Sequence, residues 1–166
     1  CAGLRGSSAW VEIESPRLEV WSGAGEETAR RVAERLERVR EVSGRFFPQR
    51  ENAPRPRVIL LRSSAYASLT AGSEAAFRLA TPEGAFVVVD ARADGALVAA
   101  QHAFTHLLLA QRAEWRYPAW FEEGMAVFLS TLEPSNGRVE LGRAPRPDAE
   151  QLALGTTLRL GKVVGP

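Results

Sequence analysis

Ala99-Ala100-Gln101-His102-Ala103-Phe104-Thr105-His106-Leu107-Leu108-Leu109 holds both histidines of this 166-residue chain, four positions apart. Residues at i and i+4 share one face of a helix, so the two imidazoles can meet one metal ion. A helical histidine pair standing alone has a blander meaning, each ring satisfied by a backbone carbonyl. The downstream sequence weighs against that meaning.

Tyr117-Pro118-Ala119-Trp120-Phe121-Glu122-Glu123-Gly124-Met125-Ala126-Val127-Phe128 reads as a second helix, with two carboxylates and then a glycine. Two imidazole nitrogens and one carboxylate oxygen make the three-ligand set of a catalytic zinc site, with a fourth position open to water. In these two stretches the chain resembles the gluzincin metallopeptidases, above all the small bacterial peptidase MA-like proteins, whose pattern is H-E-x-x-H followed by W-[LF]-x-E-G-[LM]-A. The resemblance implies that His102, His106 and Glu123 hold Zn2+ and that the substrate is a peptide or protein. Glu122, roughly 100° around the helix from Glu123, faces elsewhere and reads as a solvated residue.

The pattern breaks at its second position. Where the family carries the glutamate that takes a proton from the zinc-activated water, this chain has Ala103. A methyl group moves no proton, and general acid–base assistance is worth about 10²- to 10⁴-fold in rate. The chain is therefore expected to hold the metal and to hydrolyse peptides poorly or not at all. Ala103 has two readings, a domain that has kept the site without the chemistry, or a replacement of the glutamate in an otherwise active domain. A non-catalytic module that binds an extended peptide or a partner protein in the same cleft is the alternative function. A structural domain without metal is the third.

Length and composition suit one soluble globular domain, with 45% hydrophobic and 25% charged residues. A net charge of +1, with Arg and Glu alternating instead of forming a basic block, speaks against nucleic acid as a partner. Cys1 is the only cysteine, and Ala2 to Ser8 reads as a flexible tether before a domain over 9–166. That arrangement fits a processed lipoprotein of a bacterial cell envelope, whose membrane contact would come through a lipid on Cys1; an arbitrary fragment boundary is the other explanation. No run of 18 apolar residues exists.

The remaining elements are read from periodicity. Trp10 to Glu14 and Arg17 to Trp21 alternate in period two around Ser15-Pro16, which predicts neighbouring strands. From Gly25 to Phe47 the apolar positions Ala29, Val32, Ala33, Leu36 and Val39 recur at three and four, the mark of a long amphipathic helix that Pro48 ends. Val58 to Leu61 reads as a buried strand, Ser63 to Leu69 as a short helix with a serine cap, and Thr70 to Gly84 as a loop. Phe86 to Asp90 is a further strand. By the resemblance it is the rim of the cleft, where an extended substrate pairs; a core strand is the plainer reading. Ala96 to Gln111 is the histidine helix, Ala119 to Leu132 the glutamate helix, and Arg138 to Leu141 a short strand. Gly124 is expected where those two helices approach closely, and Trp120, Phe121, Phe104 and Leu107 to Leu109 as core around the site.

The expected fold is α+β and zincin-like. A small mixed sheet, with strands near 10, 18, 58, 86 and 139, packs against the long helix and the metal helix, and the glutamate helix comes after. Related proteins continue into further helices, so the end at Pro166 reads as a truncation.

Overall fold

The computed structural model describes residues 10–47, 53–71, 74–82, 84–111, 117–135 and 137–143. The tether expected over 1–8, Cys1 itself and the chain beyond 143 lie outside them. The alternating runs form strands β1 (Val11–Glu14) and β2 (Glu19–Ser22), paired antiparallel with Ile13 opposite Val20. Ser15 makes the turn: its Oγ accepts from the Leu18 amide at 3.0 Å and pairs with Glu37 of the next helix. That helix, α1 (Glu26–Phe46), buries Ala29, Val32, Ala33, Leu36, Val39 and Val42, the stripe that the three-and-four spacing describes. Its solvent face carries the charges, including a Glu26–Arg30 pair one turn apart.

Strand β3 (Arg57–Leu61) lies parallel to β2 and leads into the short helix α2 (Ser63–Ala67). Ser63 does not cap that helix. Arg62 holds the cap position without a side-chain bond, and Ser63 Oγ donates to Asp90 Oδ1 at 2.8 Å, tying α2 to the sheet. The stretch expected as a loop contains a strand, β4 (Ala76–Thr81), which pairs antiparallel with β5 (Gly84–Asp90). Helix α3 (Ala96–Ala110) starts from Gly95, whose φ of 72° is a backbone state that glycine enters at no steric cost. Helix α4 (Ala119–Ser130) comes next, then a separate hairpin of β6 (Glu133–Ser135) and β7 (Arg138–Glu140).

The sheet order is β1-β2-β3-β5-β4, with a parallel centre and an antiparallel strand at each edge. The α+β class and the mixed sheet thus stand, with two corrections to its make-up. The strand near 139 belongs to the separate hairpin, and the fifth place in the sheet is taken by β4. Strand β5 is paired on both sides, so it is a core strand and cannot accept an added chain; among the described residues the free edge beside α3 is that of β4.

Helices α1 and α3 share one face of the sheet, where Val20, Val58, Leu60, Val87 and Val89 meet Leu36, Val39, Phe104, Leu107 and Leu108. The opposite face is covered more thinly, by Tyr66 of α2 against Leu61 and Val88. Helix α3 packs on β4 and β5 below, on α1 to one side and on α4 to the other. Phe47, just past α1, lies against Tyr117 and Phe121, so an aromatic cluster also joins the end of α1 to the start of α4. No described helix is long and apolar enough to cross a membrane.

Candidate metal centre

Helix α3 is apolar on nearly all sides because it is packed on three; Ala100, Phe104, Leu107, Leu108 and Leu109 are buried in the main core. His102 and His106 occupy the strip left over, half-buried, with ring centroids 4.9 Å apart and their Nε2 atoms at 3.2 Å. Glu123 reaches them from α4. Its Oε1 lies 3.3 Å from His102 Nε2 and its Oε2 3.3 Å from His106 Nε2. The structure therefore brings together the three residues singled out in the sequence, and among the described residues they form the one cluster of metal-ligating type.

Those separations carry chemical information. Donors bonded to tetrahedral zinc at 2.0–2.1 Å stand about 3.3 Å from one another. The Nε2–Nε2 separation of 3.2 Å matches that edge length, and one carboxylate oxygen of Glu123 lies within 4.8 Å of both nitrogens, a donor set that suits a small divalent cation of zinc type. Burial pushes the His102 pKa below its ordinary 6.5, with the nearby Glu123 pulling the other way and His106 adding to the fall. A neutral imidazole is the form that ligates. Glu123 is exposed on its outer side, which leaves the cluster open to solvent there.

Glu122, next in the chain, is not brought to the cluster. Ala103, between His102 and Phe104 on α3, is 6% exposed and belongs to the main core. Thr105 is buried and its Oγ1 donates to the Gln101 carbonyl at 2.8 Å, a bond within the packed helix. Two expectations around the site fail. Trp120 is 52% exposed and is not core among the described residues. Among the described residues a Cβ at Gly124 would meet nothing within 4 Å, so close approach of the described helices does not explain that glycine.

Two features of the site escaped the sequence. Arg78 on β4 donates to the carbonyl of His106 at 3.2 Å, so the edge strand is tied to the metal helix. Gln101 of α3 is fully buried and bonds to carbonyls at the end of α4; its only sequence signal is a carboxamide in a largely apolar helix. Beside His102 a cavity of about 480 Å³ opens between the start of β4 and the first turns of α3, walled by Glu74, Ala76, Val98, Ala99 and Ser130.

Comparison of the chain with protein-family models, with curated proteins and with solved structures finds no match.

Proposed function

We propose that this chain is a zinc-holding domain of the metallopeptidase type, zincin-like in arrangement, in which His102, His106 and Glu123 hold Zn2+ and hydrolysis is crippled at Ala103. The observation that carries the reading is the three-donor group itself, drawn from two helices with separations of 3.2 and 3.3 Å. Zinc held there would supply Lewis-acid polarisation of a peptide carbonyl and acidify a water molecule. The chain's own part is to keep His102 neutral by burial, to bring one negative charge through Glu123, and to leave the outer side open. The cavity beside His102 and the free edge of β4 give an extended peptide room along the cluster.

Proton transfer is what this site lacks. Position 103 comes directly after His102 on the same helix, where a glutamate would enter a nearly dry spot, and burial raises a carboxyl pKa towards the range useful to a base. Alanine neither takes a proton from the water nor returns one to the leaving amine. A pseudopeptidase that binds peptide without cutting it is the second reading, and Ala103 is the observation that favours it.

Elemental analysis of the metal-supplemented chain should find one zinc per chain, and His102→Ala or His106→Ala should abolish it. An absence of zinc in the unaltered chain refutes the proposal. On a quenched peptide library, with zinc loading matched, Ala103→Glu should raise hydrolysis by about 10²-fold or more. Because the site is buried, the same change should cost about 1–3 kcal/mol of stability, read by denaturant titration. Zinc loading with no gain on any peptide transfers the assignment to the binding module.

A further inference from the structure

Two polar contacts join α3 to the end of α4 from the residue before His102 and take no part in the metal group. Gln101, the residue before His102, is fully buried, and its Nε2 donates to the carbonyls of Leu132 at 3.1 Å and Leu129 at 3.4 Å. Leu129 also accepts from the Thr131 and Leu132 amides at the helix end, and Leu132 lies just past α4, so Gln101 adds a contact from α3 to a turn that already closes on itself. Leu132 also accepts from Arg35 Nη1 of α1, whose Nη2 pairs with Glu133 at 2.9 Å. Three helices thus converge on one turn of backbone.

Packing alone does not account for this choice of residue. Gln101 Oε1 is buried without a hydrogen-bond partner among the described residues, a penalty that an apolar side chain of the same size would not incur. The amide is retained at a place where it weakens the core, and what it provides in return is direction. Apolar contact is non-directional and tolerates sliding of one helix on another; a bond from Nε2 to a named carbonyl does not. Glu123 lies six residues before Leu129, about 9 Å along the same rigid helix. Any axial slip of α4 is passed on to the carboxylate, whose contacts with both imidazoles are 3.3 Å.

We infer that Gln101, backed by Arg35, is a positioning residue for the metal centre, setting the register of α4 on α3 so that Glu123 meets His102 and His106. The inference rests on the zinc-holding reading above. It extends that reading to a residue that contributes no ligand atom.

The test uses the full chain and Gln101→Met, which keeps length and removes both the donor and the unpaired oxygen. Zinc dissociation constants come from competition with a chromophoric chelator, and the Co2+-loaded chain provides a visible spectrum sensitive to the carboxylate. The zinc dissociation constant should rise about 10-fold or more in Gln101→Met, in the range seen when partners behind a ligand are removed. The Co2+ bands should shift and weaken, while the melting temperature of the zinc-free chain stays level or rises. Arg35→Met should move the affinity and the Co2+ bands in the same direction by less, and it decides the question if Gln101→Met does not fold. A purely structural role predicts the opposite pattern, a lower zinc-free melting temperature with affinity within about two-fold of the parent, and that result overturns the inference. A parent chain that binds no zinc refutes the metal reading and the inference together; a parent that binds while both variants bind equally well refutes the inference alone.

Discussion

His102 is where burial and metal chemistry meet. Its ring lies between helices and gives up hydration, and this outweighs the pull of the Glu123 carboxylate, so the proton leaves below the usual 6.5. The unfolded chain therefore binds that proton more readily than the folded one. This residue adds no pH dependence above 6.5 and takes stability away as pH falls from 6.5 through its folded-state pKa. Proton NMR of the two imidazole C2–H signals in the zinc-free chain should give a midpoint below 6.5 for His102, assigned by the signal lost in His102→Ala. A midpoint above 6.5 would mean that Glu123 governs the site and that burial does not. At the next position, Ala103 carries no group that can exchange a proton.

Among the elements, α4 delivers Glu123 from its first turns, its end is bonded at Leu129 by Gln101, and the residue just past it, Leu132, is bonded by Gln101 and Arg35. Gly124 sits between these ends with helical backbone, and among the described residues nothing occupies the space where a Cβ would stand. A glycine inside a helix costs about 0.5–1 kcal/mol relative to alanine. Gly124→Ala should stabilise the chain by that amount in urea titration without changing zinc affinity. A loss of zinc affinity would show that the space above Gly124 is used by the site. Strand β4 is the other element whose place matters. It is the sheet edge next to α3, it hydrogen-bonds the His106 carbonyl through Arg78, and it borders the cavity beside His102.

At the scale of the whole molecule, a ligand set drawn from two helices couples metal binding to folding, because the unfolded chain does not hold the three donors together. With free zinc about 100-fold above its dissociation constant, the gain is about 2.7 kcal/mol, or roughly 5–10 °C in melting temperature for a chain of this size. Thermal scans with zinc and with EDTA should show that difference, and His106→Ala should erase it. Much of this molecule was legible in the residues alone. The three-and-four spacing in α1, the alternation around Ser15-Pro16 and the four-residue step from His102 to His106 are all properties of one element, set by local geometry wherever the element ends up. Strand β4 was not legible, since Ala76 to Thr81 is an edge strand largely open to solvent and carries no run of buried positions to mark it. Nor was the separate hairpin that takes Arg138 to Glu140 out of the sheet. Sequence by itself determined which side chains could serve as ligands, and that position 103 holds no base. Only the tertiary structure decided how near Glu123 comes to both imidazoles, and that Gln101 reaches the carbonyls of Leu129 and Leu132. Those outcomes depend on where one helix comes to rest on another, which long-range packing settles and no local spacing encodes.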